Sequence, residues 1–167
     1  MHSAILTPFG EMQESGNDTP LIFLAGPIQG APDWQQTAIE ILKDRGADLA
    51  SPRSAKKNYT EDDYMVQVDW EHQHLLRASE YGSVLFWLAK EAEHVPGRAY
   101  AQTSRFELGW HFEKALDGRC RLVVGIEEGF SNARYLRYTI EKLSAGKVKI
   151  LNTLQETCDE ALRLALD

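Results

Sequence analysis

The stretch Leu21-Ile22-Phe23-Leu24-Ala25-Gly26-Pro27-Ile28-Gln29-Gly30 decides the fold. Its first five residues are apolar without alternation, the pattern of a strand buried on both faces. A glycine-proline turn follows at once. Asp33-x-x-Gln36 then reads as a capping box that opens a helix. Trp34, Ala38, Ile41 and Leu42 recur at helical spacing, and Gly46 closes the run. A buried strand, a tight turn and a helix make up the repeating unit of a parallel sheet.

The unit recurs toward the C-terminus. Residues 47–51 read as a weak second strand. Thr60 and the acids after it start a helix whose inner face reads as Met65, Val68, Leu75 and Leu76. Further strands fall at Val84–Leu88, Leu122–Ile126 and Val148–Leu151, and further helices at 104–117, 131–144 and 154–165. Five strands alternating with five helices require parallel strands, right-handed crossovers and helices on both faces. The expected fold is a doubly wound, flavodoxin-like or Rossmann-like α/β sheet of five strands in the order 2-1-3-4-5. Residues 1–20, with Gly10, Gly16, Asn17, Asp18 and two prolines, read as an arm to which Ile5-Leu6 adds an edge strand. Residues 21–167 form the single domain.

Composition narrows the function. The chain has 167 residues, 43% hydrophobic and 26% charged, with a net charge of −7. That balance offers no basic footprint for a nucleic acid polymer. No apolar run approaches the roughly 18–20 residues of a membrane helix. No basic segment followed by a long apolar stretch marks a secretion signal. The expectation is a cytoplasmic protein with no membrane partner. Cys120 and Cys158 lack metal-type spacing, and Cys120 opens an apolar run as a buried, reduced thiol. No metal and no cofactor is expected.

In an open parallel sheet, ligands bind beyond the carboxyl ends of the strands, where the next helices begin. Three places there stand out. The loop Gly26-Pro27-Ile28-Gln29-Gly30 lets backbone amides approach a sugar or phosphate, or it is an ordinary βα turn. Trp34, on the helix that follows, joins it as a candidate substrate contact. On the acidic helix from Glu61 to Ser79, Asp69 and His72 fall within the apolar stripe and Glu71 flanks it. Carboxylates so placed are costly unless paired, but solvation or a salt bridge explains them too, and His72 reads equally as a core histidine. The third place is the connection over residues 89–102, at about 14 residues longer than the usual 2–6. It leads into Thr103-Ser104-Arg105-Phe106-Glu107-Leu108-Gly109. Ser104-x-x-Glu107 is a complete capping box on paper. Yet Leu108, Phe112, Ala115 and Leu116 form the inward face of that helix, which leaves Glu107 at the rim. The helix dipole there favours its ionised form, as a nucleophile requires.

At these residues the chain resembles the nucleoside 2-deoxyribosyltransferase family, in its branch of short bacterial members. The matching pieces are Phe23-Leu24-Ala25-Gly26-Pro27-Ile28, Gln67-Val68-Asp69-Trp70-Glu71, Val84-Leu85-Phe86-Trp87, Phe106-Glu107-Leu108-Gly109 and Val123-Val124-Gly125-Ile126, in the family's order. The resemblance implies that Glu107 attacks C1′ and holds the sugar covalently, and that Gly26–Gly30 lies at the sugar and its 5′ end. Glu71 is implied as the acid on the second helix, with Asp69 as second choice. It further implies a nucleoside or nucleotide and a free nucleobase as ligands, and a homo-oligomer of two or more chains. The family's aspartate shortly before the nucleophile has no counterpart in Ala101 to Phe106. Thr103, Ser104, Glu91 or Glu93 is expected in its place, and Asn132 is a further candidate contact. Related hydrolases of nucleoside 5′-monophosphates use basic or hydroxyl groups near the first loop. That loop carries Gln29 and no arginine, which points to nucleosides, unless Arg53, Arg98 or Arg105 reaches it. A non-catalytic nucleotide-sensing domain is the third reading.

Overall fold

The computed structural model describes residues 2–11 and 18–167. Among the described residues six strands form one parallel sheet: β1 (Ile5–Leu6), β2 (Leu21–Ala25), β3 (Asp48–Ala50), β4 (Gly82–Leu88), β5 (Leu122–Ile126) and β6 (Lys149–Leu151). Five helices alternate with them: α1 (Trp34–Leu42), α2 (Glu61–Tyr81), α3 (Gln102–Leu116), α4 (Ala133–Ser144) and α5 (Leu154–Leu166). The sheet order is β1-β3-β2-β4-β5-β6. Its last five strands reproduce the expected flavodoxin-like order. The sixth is the N-terminal pair Ile5-Leu6, which lies parallel to β3 with Ile5 opposite Leu49 and Leu6 opposite Ala50. Gly16 and Asn17, read as part of the arm, lie outside the described residues.

Every residue of β2, β4 and β5 is buried, as their unbroken apolar runs demand. Their side chains alternate between two cores. Leu21, Phe23, Val84, Phe86, Leu122 and Val124 face α2, α3 and α4, where Leu75, Ala78, Leu108 and Ile140 cover them. Ile22, Leu24, Leu85, Trp87 and Val123 face α1 and α5, against Trp34, Ala38, Leu42, Cys158 and Ala161. Both cysteines are free and buried.

Three local expectations need correction. First, Asp33 caps α1 by accepting from the Gln36 amide at 3.1 Å, but the Gln36 side chain turns to Glu40, so the box is half made. The reciprocal box is complete at α2, between Thr60 and Asp63. Second, the buried residues of α2 are Leu75, Ala78 and Ser79, whereas Met65 and Leu76 are 57% and 52% exposed. With 21 residues α2 is about 30 Å long, far longer than the strands, and most of its residues from Glu61 to Val66 are exposed before Trp70 packs on Phe23. Third, α3 begins at Gln102 with left-handed Ala101 as its cap and no side-chain cap bond. Ser104 is buried and Glu107 lies in the second turn, so no Ser104–Glu107 capping box forms.

Candidate active site

The two glycines of the first loop are required by what they touch. A Cβ on Gly26 would lie 2.3 Å from the Trp87 carbonyl oxygen and 2.8 Å from the Trp34 ring. Gly30 has φ +78°, and a Cβ there would lie 2.6 Å from the Glu93 carbonyl oxygen. Its own carbonyl accepts from the amides of Ala92 and Glu93 at 2.7 and 3.1 Å. The first loop is thereby joined to the long connection after β4. Tyr100 closes that connection by donating its hydroxyl to Ala89 O at 2.6 Å, and Arg98 donates to Gln29 Oε1. An arginine does reach the first loop, though from a distant part of the chain.

Trp34 does not line a ligand surface. It is buried in the core, and its indole N–H donates to Pro27 O at 2.9 Å. It braces the loop from behind. Pro27 is buried as well, Ile28 is partly buried, and Gln29 is exposed.

The acidic residues separate clearly. Asp69 is exposed on α2, as is His72, whose ring meets Trp110 edge-on at 5.6 Å. Neither belongs to a buried stripe: here α2 turns Trp70 toward Phe23 of β2 and leaves Asp69 and His72 on its outer face. Glu71 is partly buried and accepts from Gln67 Nε2 at 2.8 Å. From α2 its charge acts on Glu107 of α3. Burial first, and the Glu71 charge second, push the Glu107 carboxyl up to about 8. This setting runs against the expectation of an ionised Glu107. Removal from water and a like charge outweigh the dipole of a helix whose first turn Glu107 does not occupy. Glu71 is also raised by burial, with the Gln67 hydrogen bond and then His72 opposing. Burial thus raises both carboxyls, and at Glu71 the Gln67 hydrogen bond opposes the rise.

The surroundings hold this pair in place. His111, fully buried one turn after Glu107, donates Nδ1–H to the Glu107 carbonyl at 2.9 Å, and burial keeps the ring neutral. Arg105 stacks over Phe130 at 4.5 Å and donates to both oxygens of Ser131 at 2.8 and 2.7 Å. This ties the loop after β5 to α3. Asn132 follows Ser131 as the left-handed cap of α4 and is exposed, with no side-chain cap bond. Thr103 is exposed in the first turn of α3, and Ser104 is buried beneath it. Glu91 pairs with His94 at 3.1 Å, and Arg53 bonds Gln35, Asp33 and Pro32. Among the described residues no group of three His, Cys, Asp or Glu side chains is placed to hold a metal ion. No described helix is long and apolar enough to cross a membrane.

Gln67, Tyr100 and His111 carry no site role in the sequence reading, and Arg105, a candidate to reach the first loop, instead bonds Ser131. Two of them carried a signal: Gln67–Glu71 and Glu107–His111 are both i, i+4 pairs on helices, spaced to interact.

Fold and site together define a doubly wound α/β protein with two partly buried carboxylates, Glu71 and Glu107, on neighbouring helices. The model of the family described as nucleoside 2-deoxyribosyltransferase like matches residues 19–130, and the chain belongs to that family. The matched span takes in every candidate residue except Asn132. No curated protein matches the chain.

Proposed function

We propose that the protein breaks and re-forms the N-glycosidic bond of a nucleoside through a covalent glycosyl ester on Glu107. The observation that carries this reading is the pair Glu71–Glu107, two partly buried carboxylates close enough for the Glu71 charge to raise the Glu107 carboxyl. Retaining glycosyl transfer needs that combination, an attacking carboxylate and a proton for the leaving group. As substrate enters, the proton on Glu107 passes to Glu71. A Glu107 oxygen attacks C1′ while the C1′–N bond breaks. The electrons of that bond go to the base nitrogen, which takes the proton from Glu71. The products are a glycosyl ester on Glu107, an ionised Glu71 and a neutral base. An incoming base reverses the sequence and returns its N–H proton to the pair; water in its place releases the free sugar. Asp69, exposed and apart from the pair, has no step here.

The test is base exchange between a nucleoside and a second free base. Glu107→Ala is expected to lose about 10³-fold or more in turnover. Equal exchange by mutant and wild type would sink the proposal. A sugar adduct detected by mass on the intact protein would support it directly. Stabilisation by nucleotides without any turnover would select the sensing domain instead.

Hydrolysis of a nucleoside 5′-monophosphate is the second reading, favoured by the Arg98–Gln29 contact at the first loop. Release of deoxyribose 5-phosphate without an acceptor base would select it, and Arg98→Ala would then impair the nucleotide more than the nucleoside. A homo-oligomer acting in the cytoplasm belongs to the same proposal. Phe106 and Trp110, 73% and 40% exposed beside the pair, are surfaces a second copy would cover. Sedimentation of Phe106→Asp against wild type tests this.

A further inference from the structure

Gln67 stands one turn before Glu71 on α2. Its Nε2 lies 2.8 Å from Glu71 Oε1 and 3.4 Å from the Pro52 carbonyl oxygen. A carbonyl oxygen only accepts, so the amide nitrogen, and not the amide oxygen, must face Pro52. The same nitrogen presents its other N–H to Glu71. The loop after β3 therefore fixes which end of Gln67 meets the carboxylate. We infer that Gln67 is a positioning residue for the pair: anchored on Pro52, its amide fixes the Glu71 carboxylate as a hydrogen-bond acceptor.

The two carboxylates are otherwise alike in being partly buried. What differs is the donor: Glu71 has the Gln67 amide, and no side-chain donor to the Glu107 carboxyl occurs among the described residues. A donor to a carboxylate favours its ionised form. The other groups acting on the pair do not reverse this. His72, on α2, favours ionised Glu71 as well. From α3, Glu107 meets only the Glu71 charge, and buried His111 is neutral and bonded to backbone. The β3 loop contributes the uncharged Pro52 carbonyl.

The inference deepens the proposed glycosyl transfer, but its test does not need turnover. The ligand-free protein carrying ¹³C-carboxyl glutamate is titrated by NMR, with Glu71→Gln and Glu107→Gln assigning the two resonances. Wild type is expected to show Glu71 titrating well below Glu107. Gln67→Met keeps the side-chain bulk and removes the donor. It is expected to move the Glu71 midpoint up by about one unit, a tenfold change in its proton affinity. Gln67→Asn keeps the amide but shortens its reach, and is expected to do the same. Unchanged Glu71 midpoints in either variant, with native circular dichroism, would overturn the inference. If the wild type exchanges bases, the acidic limb of each variant's pH profile should rise in step with its Glu71 midpoint. If it does not, the glycosyl-transfer reading fails while the titration still decides the role of Gln67.

Discussion

Glu107 is the residue at which local pattern and three-dimensional setting disagree most. Read along the chain, it is the last residue of a capping box and an exposed rim acid. In the fold it is partly buried and faces a second carboxylate, with its carboxyl at about 8. A folded-state value above the ordinary 4.5 has a definite sign. The group contributes stability that is complete below the unfolded value and is lost as pH rises through the folded one. Glu107→Gln, which cannot ionise, should therefore be more stable than wild type at pH 9, by on the order of 2 kcal/mol. The difference should vanish near pH 4, as chemical denaturation at the two pH values will report. Sequence could single out Glu107 and Glu71 because both stand where helices meet the rim. It could not reveal that they act on each other, since that depends on α2 and α3 lying side by side. The sequence reads Asp69 as part of the apolar stripe, whereas α2 turns Trp70 inward and leaves Asp69 exposed.

At the scale of elements, the two loops above β2 and β4 behave as one unit. Gly30 joins them, with its carbonyl accepting two amides and no room for a side chain. Gly30→Ala combines an unfavourable backbone with a clash on Glu93, and should cost about 1–3 kcal/mol. A lower urea midpoint would measure it, along with weaker nucleoside binding. The start of α3 shows why boundaries were harder to read than the elements themselves. Ala101 caps the helix in a left-handed conformation, without the side-chain bond that marks caps in a sequence. The reading therefore began the helix two residues late, at the first serine that resembled a cap. Strands β2, β4 and β5 suffered no such error, because burial on both faces leaves an apolar run that local capping chemistry cannot disguise.

The whole molecule is one sheet with a core on each side, and the central strands contribute to both. Neither core can open without unpairing β2, β4 and β5, so unfolding should be a single transition. Cys158, with no exposed surface in the α1–α5 core, reports this. In a Cys120→Ser background its thiol should react with a labelling reagent only at the global unfolding rate, and faster labelling would reveal local opening. Activity should likewise answer to the pair as a unit. Exchange is expected to decline above about pH 8, where the pair loses its only proton, and again in acid, where Glu71 gains one. The order of the five inner strands was legible because strict alternation leaves few topologies open; the identity of the base was not, because no residue type specifies one. The outermost strand carries a different consequence. Ile5 and Leu6 pair with residues that follow them by more than forty positions, so during synthesis this strand must wait until β3 exists. Its docking is then a late event, and it covers the free hydrogen-bonding edge of β3. A chain caught before that step, or shortened past Leu6, would present an open strand edge to its neighbours, and edge-to-edge aggregation would be its expected failure.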